Sequence, residues 1–262
     1  MPLAAFEVLP DAEAVAQRAA TLLLQAIREQ PAQPLGLATG RTMEPVYAAL
    51  VALIEALPQS QRQSLLQRWL SFNLDEYVLD QAGDLGFGDR GPFARDMAQH
   101  LGRPLGLGPD QLLLPNGLAP DPEAEARRYR AALAAAGGIG LQLLGLGLNG
   151  HVGFNEPPCA ITATTRCVIL SASTRHHNAP AFGGNPEAVP AQAISLGIAE
   201  ILQARQLLLV VTGGAKAEIL RRSLQEPPCA AVPASWLQTH GQLRVLADAA
   251  AAAELSSALE RC

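Results

Sequence analysis

Four short apolar runs in this 262-residue chain each end in a cluster of glycine and polar residues. Leu35-Gly36-Leu37-Ala38 runs into Thr39-Gly40-Arg41-Thr42, and Trp69 to Leu74 runs into Asp75-Glu76. Leu141 to Leu146 leads to Asn149-Gly150-His151, and Leu207 to Val211 leads to Thr212-Gly213-Gly214-Ala215-Lys216. Runs this short and this apolar suit strands buried on both faces. Helical patterns lie between them. They are expected from Asp11, as cap, to about Gln30, then over Met43 to Ala56 and Pro92 to about Leu101. Further helices are expected over Asp121 to Ala136, Ile194 to Gln203 and Ala215 to about Leu224. Short strands are expected at Leu112 to Leu114, Cys167 to Leu170 and Leu243 to Leu246, with a loop at Gln81 to Gly91 and an Ala-rich terminal helix. This alternation predicts an α/β fold, a mostly parallel sheet with helices on both faces. In such sheets ligands bind beyond the C-terminal ends of the strands, which is where all four clusters fall. No repeat and no linker marks a boundary, so residues 1–262 read as a single domain.

Composition narrows the partners. Apolar residues make up 49% and charged residues 16%, with a formal net charge of −5, which excludes a disordered chain. Only 4% of residues are aromatic, and the acidic balance argues against a nucleic-acid partner. Ala131 to Leu148 is 18 residues with Gln142 as the only polar side chain. That is the edge of a membrane span, but five glycines interrupt it, and it reads as a helix end followed by a buried strand. No membrane partner is expected. The cysteines Cys159, Cys167, Cys229 and Cys262 form no CxxC, and no Cys/His group has metal spacing. His176-His177 lack a third ligand. A reduced, cytoplasmic setting without metal is the expectation.

Of the 19 basic residues, 18 are Arg and one is Lys216. Coding bias explains many arginines but not the retained lysine. A compact ammonium at a strand–helix turn can hold an anion in a way that Arg's fork cannot copy. Gly145-Leu146-Gly147-Leu148-Asn149-Gly150 matches a dinucleotide fingerprint, yet Pro157-Pro158 resist the required helix and no acidic residue lies between Pro157 and Pro186. Gly147 and Gly150 read instead as points where backbone approaches a small ligand. Thr39-Gly40-Arg41-Thr42 is a candidate anion site or an ordinary turn. Asp75, followed by Glu76, is a candidate general base or a carboxylate capping the next element. His151 lies five residues before Glu156, a spacing that lets a carboxylate set its tautomer for proton transfer near neutral pH.

Together these segments resemble the superfamily of glucosamine-6-phosphate deaminases (isomerases) and 6-phosphogluconolactonases. The resemblance rests on Leu35 to Gly40, Phe72-Asn73-Leu74-Asp75-Glu76-Tyr77, Gly145 through Pro157, and Val211 to Lys216. Phe154-Asn155-Glu156-Pro157 is similar to the amino-sugar deaminase branch. The resemblance implies a Rossmann-like three-layer domain without nucleotide or other cofactor. It implies isomerisation and deamination of a 2-amino-2-deoxyhexose 6-phosphate to a ketohexose 6-phosphate and ammonia. It makes Asp75 the C2–C1 proton carrier and His151 the ring-opening group, charged or oriented by Glu156. Thr39, Gly40, Thr42 and Lys216 would hold the phosphate.

Two positions depart from the glucosamine pattern. Asn149 stands where those enzymes carry Asp, as in the galactosamine-6-phosphate branch, which Ala231-Val232-Pro233-Ala234-Ser235 also resembles. Pro180 stands where a phosphate-binding Arg is found, so Arg41 or Arg175 is left to substitute. A lactonase on the same scaffold and a non-catalytic sugar-phosphate sensor are the other readings. A homo-oligomer is compatible with the sequence, which does not set the oligomeric state.

Overall fold

The computed structural model describes residues 5–79 and 91–255. Its strands are β1 (Ala5–Leu9), β2 (Leu35–Leu37), β3 (Ser71–Asn73), β4 (Asp75–Val78), β5 (Leu112–Leu113), β6 (Leu141–Gly145), β7 (Arg166–Ile169), β8 (Gln192–Ser195), β9 (Gln206–Val211) and β10 (Leu243–Asp248). The helices are α1 (Ala12–Glu29), α2 (Met43–Glu55), α3 (Gln59–Gln67), α4 (Pro92–Met97), α5 (Arg103–Leu105), α6 (Pro122–Ala135), α7 (Ala172–Asn178), α8 (Ile198–Ile201) and α9 (Ala217–Gln225). A π-helical turn, Ala98–Gly102, joins α4 to α5.

Local chemistry sets several of these boundaries. The Asp11 carboxylate accepts the Ala14 N–H at 2.8 Å and starts α1. Asp121 does the same for α6 through Ala124 at 3.0 Å, with Pro122 at the first helical position. Val15, Ala19, Leu22, Leu23 and Ala26 recur every three or four residues and bury one face of α1.

Seven strands form a wholly parallel sheet in the order β1-β10-β9-β6-β2-β3-β5, with helices around it. From β2 the chain runs outward through β3 to β5. It then returns to the other side of β2 as β6 and runs outward again through β9 and β10. The gap between the C-terminal ends of β2 and β6 is therefore the topological switch point, where α/β sheets bind ligands. A second sheet, β4-β8-β7, is antiparallel, so the small sheet departs from the expected βαβ order. Among the described residues, no helix is long and apolar enough to cross a membrane.

Several boundaries differ from the sequence reading. The expected strand from Trp69 to Leu74 is split: Ser71–Asn73 belong to the large sheet, and Asp75 opens the small one. Ile194 to Gln203 is not one helix. Ala193, Ile194 and Ser195 are buried in β8, the middle strand of the small sheet, and only Ile198–Ile201 is helical. Pairing on both edges outweighs the weak helical pattern. His176-His177, read as loop, lie on α7. Beyond Asp248 the chain makes turns through Leu255 instead of an Ala-rich helix, and the rest of that segment lies outside the described residues. So does the loop expected at Gln81 to Gly91, apart from Gly91. β1 and α3 were not anticipated; β1 pairs in parallel along the length of β10.

Candidate active site

Asp75 stands at the junction of the two sheets, one residue beyond β3 and its spacer Leu74. The Leu74 N–H donates to Leu37 O at 2.7 Å, and Leu74 O accepts the Leu196 N–H at 2.8 Å. These bonds fix the backbone just before Asp75 between β2 and the small sheet. Asp75 is 5% exposed. Burial pushes its carboxyl up to about 7. The neighbouring tyrosine hydroxyls are already committed. Tyr47 donates to Ala38 O, and Tyr129 lies at 2.8 Å from Asn73 O and 3.0 Å from Leu113 O. Among the described residues, no group donates a hydrogen bond to the Asp75 carboxyl.

Glu76 contrasts with it. Its carboxyl is fully buried and accepts the N–H groups of Tyr77, Phe93 and Ala94 at 2.8, 3.2 and 2.7 Å. It therefore caps α4 and ties that helix to β4. Burial still pushes it up to about 8 against those bonds. Of the two adjacent carboxyls, Glu76 holds structure and Asp75 is free for chemistry.

The loop after β6 builds the opposite wall. The Gly147 N–H donates to His151 O at 2.9 Å, and the Gly150 N–H donates to Gly147 O at 3.0 Å. The turn folds the imidazole over Gly147: a Cβ there would lie 2.3 Å from His151 Cε1 and Nε2. Gly150 has φ +83°, and its carbonyl accepts the Ala234 N–H at 2.8 Å, which docks the 231–235 segment against the loop. His151 Nδ1 lies 2.6 Å from Asn149 Oδ1, and the His151 backbone N–H donates to the same atom at 3.2 Å. A backbone N–H can only donate, so the facing amide atom is oxygen. Nδ1 therefore carries the proton and Nε2 is left as a bare acceptor. Burial pushes the imidazole down to about 4, Glu156 pulls it up, and Lys216 and His177 push it further down. It is neutral at pH 7.

Glu156 sits where the loop meets α7. Its carboxylate accepts the Ser171 N–H and hydroxyl, each at 2.8 Å, and the Thr174 hydroxyl. Burial raises its pKa, but the bonds from Thr174 and Ser171, with His151 nearby, hold it below the usual range. Asn155, fully buried, braces the same turn. Its amide nitrogen donates to Val152 O at 2.9 Å and to Leu196 O at 2.8 Å.

Lys216 and Arg41 bring positive charge to this part of the site. Lys216 follows the Gly213-Gly214 turn after β9. Burial pushes it down to about 8, helped by the charge of Arg41. The same two charges, after burial, lower His177 on α7. Arg41 and Gly40 are exposed, and Gly40 has φ +115°. Thr39 and Thr42 are partly exposed. Thr42 flanks α2 without capping it, and among the described residues neither threonine hydroxyl has a protein partner. Arg175 is occupied elsewhere. Its guanidinium donates to Val189 O at 3.1 Å and to Glu187 O and Oε2 at 3.3 and 3.2 Å. The Gly213 N–H is also taken, by the Asp248 carboxylate at 2.9 Å.

His177 was passed over in the sequence because it was read as a loop histidine. Ser171 and Thr174 carry no motif of their own. A Ser capping a helix that begins shortly after a Glu-Pro turn was the one available signal.

A buried unpartnered carboxyl, a neutral imidazole and the charges of Lys216 and Arg41, all at the strand ends around the switch point, outline an α/β enzyme that moves protons on a small anionic molecule. The chain belongs to the glucosamine-6-phosphate isomerase/6-phosphogluconolactonase family, whose model matches residues 10–245. It is 42% identical over 240 residues to a glucosamine-6-phosphate deaminase of Shouchella clausii, covering 92% of this chain and 93% of that one. A deaminase of Rhodopirellula baltica is 41% identical and covers 95% of each chain. Among solved structures, one described as a monomeric glucosamine-6-phosphate deaminase superposes with a TM-score of 0.85 at 34% identity, covering 95% of this chain and 99% of that one. A 6-phosphogluconolactonase from Trypanosoma cruzi reaches 0.72 at 17% identity, covering 96% and 97%; it shares the fold.

Proposed function

We infer that the protein is an amino-sugar phosphate deaminase/isomerase, converting a 2-amino-2-deoxyhexose 6-phosphate and water to a ketohexose 6-phosphate and ammonia. The observation that carries this reading is Asp75. A buried carboxyl without donors, poised at about 7, suits a base that must take a proton from C2 and return it to C1. Lactone hydrolysis has no such step. The relatives of 37–42% identity are named deaminases, which supports the same reading.

The residues divide the work as follows. His151 Nε2 takes the proton of the anomeric hydroxyl and returns it to the ring oxygen, opening the pyranose. Asn149 keeps Nδ1 protonated, and Glu156 stabilises the transient imidazolium. Asp75 then moves the proton from C2 to C1 while a proton passes from the amino nitrogen to O1, leaving a hydroxyl at C1 and an imine at C2. Water adds there and ammonia leaves. Lys216, Arg41, the Thr39 and Thr42 hydroxyls and the Gly40 turn hold the phosphate, and His177 faces it from α7. Arg41, rather than Arg175, stands in for the arginine that Pro180 replaces, because Arg175 is bound to Glu187 and Val189. Gly147 and Gly150 let the loop approach the sugar. Residues 1–262 act as one catalytic domain, a view supported by the family match across 10–245. The free thiols of Cys159, Cys167 and Cys229 suit a cytoplasmic setting.

The direct test is ammonia release from glucosamine 6-phosphate and galactosamine 6-phosphate in parallel. Turnover of either supports the reading, and the faster one sets the C4 preference. Hydrolysis of 6-phosphogluconolactone with no ammonia from either sugar would establish the lactonase instead.

Two variants probe the His151 arm. Asn149→Asp puts an anion on Nδ1, so the imidazole pKa should rise from about 4. The His151 ring, followed by NMR titration, should take up its proton at higher pH than in the wild type; an unmoved titration would remove Asn149 from the relay. Gly147→Ala places a methyl in the imidazole's position. Turnover should fall by about 10²-fold, the scale of one misplaced acid–base group, while the melting temperature shifts by far less than for a core cavity. Full activity in that variant would show that His151 works from another rotamer.

A further inference from the structure

The parallel sheet carries a cavity at the end opposite the candidate active site. It measures about 350 Å³, within the range of about 300–1,000 Å³ that small-molecule sites occupy. It is enclosed by the end of α1, the α1–β2 turn, α3 and the residues leading into β3. Its floor is apolar: Leu35, Leu65 and Trp69 are each buried.

The polar groups around that floor match one kind of ligand. Arg28 and Arg68 both line the cavity, and no lining residue is acidic. Neither guanidinium has a carboxylate partner among the described residues. Arg28 reaches only Gln61 Oε1, at 3.3 Å, and Arg68 reaches only Ser64, at 3.1 Å to its carbonyl and 2.9 Å to its hydroxyl. Eight other arginines of this chain, by contrast, are in ion pairs. Ser60, Gln61 and Ser64 line the same rim and are exposed, so their polar side chains are open to a ligand. Accessible hydroxyl and amide groups beside a pair of guanidiniums favour a ligand that brings O–H groups as well as an anion.

We propose that this cavity is a second binding site, for a small hydroxylated organic anion: a polyol phosphate or a polyol carboxylate. Arg28 and Arg68 fork onto the anionic group, as guanidinium does on either oxyanion. The carbon skeleton lies over Trp69, and its hydroxyls turn toward Ser60, Gln61 and Ser64. The site stands independently of the deaminase reading, because none of its residues belongs to the candidate active site.

Calorimetric titration of the full-length protein tests it, with glucose 6-phosphate as the phosphate arm and gluconate as the carboxylate arm. Glucose 6-phosphate lacks the 2-amino group and releases no ammonia. Two molecules should bind per chain in at least one arm. Arg28→Ala/Arg68→Ala should weaken one of them by about tenfold or more, since charge-assisted hydrogen bonds contribute about 1.5–3 kcal/mol. Lys216→Ala should leave that one and weaken the other. Ser64→Glu supplies Arg68 with an internal carboxylate and should block the site without removing either arginine. Unchanged turnover and melting in these surface variants establish that they are folded. The arm that binds names the anion. One molecule per chain, lost only with Lys216, overturns the proposal. So does binding that neither the arginine pair nor Ser64→Glu affects.

Discussion

Asp75→Asn should abolish measurable ammonia release while making the protein more stable. The rate should fall by about 10²–10⁴-fold, because Asn cannot carry the proton between C2 and C1. KM should change little, since no cation perturbs Asp75 and the phosphate is proposed to sit on Lys216 and Arg41. The stability effect follows from linkage. In the unfolded chain the carboxyl titrates near its ordinary value of about 3.9. In the fold it stays protonated up to about 7. The folded state therefore binds the proton more tightly, and its stability declines as pH rises from about 4 to about 7. Above pH 7 the full cost of a buried charge is present, on the order of a few kcal/mol. Asn removes it, so the variant's advantage in melting temperature should grow from pH 5 to pH 8. A wild-type rate in Asp75→Asn would sink the assignment of the base. A variant less stable at pH 8 than the wild type would mean the carboxyl is not poised as described. Wild-type kcat/KM should rise with pH through about 7, as the base ionises.

Lys216→Ala should raise KM for the sugar phosphate by about 10–100-fold, with a smaller loss of kcat. One charge-assisted contact to a phosphate contributes roughly 1.5–3 kcal/mol. The phosphate is remote from C1 and C2, so the loss falls mainly on binding. Arg41 carries part of the charge and limits the effect. Lys216 titrates at about 8 because of burial and Arg41, so binding should weaken as pH climbs past that value. The dianion pulls the pKa back up in the complex, and a proton should be taken up on binding near pH 8. Unchanged KM in the variant would take Lys216 out of the phosphate site.

The four strand-end clusters were legible because each strand ends where its apolar run ends. The switch-point placement of Thr39-Gly40 beside Gly147 to His151 then follows from parallel topology. Lys216 was legible as the sole lysine. The small antiparallel sheet was not. β8 is four residues long, and Ala193-Ile194 fits a helix as well as a strand until β4 and β7 pair with it. Residue type and position alone do not separate Asp75 from Glu76, since both are carboxylates at one strand end; only the family resemblance singles out Asp75. Their division of labour depends on the amides of Phe93 and Ala94, 17 and 18 positions away. Arg41 and Arg175 posed the same problem. The carbonyl of Val189 and the side chain of Glu187 engage Arg175, and neither is visible in its own neighbourhood.

Glu156 makes one thermodynamic unit of residues far apart in the chain. It answers to the hydroxyls of Ser171 and Thr174 on one side and to the charge of His151 on the other. Effects at such sites do not add. A double-mutant cycle between Ser171 and His151 should show coupling, although 20 positions separate them. Substitutions along α7 are thus filtered through acid–base chemistry. On the proposed mechanism this helix is not free to drift as an ordinary surface segment, and a change at Ser171 or Thr174 would have to be matched at His151 for turnover to persist.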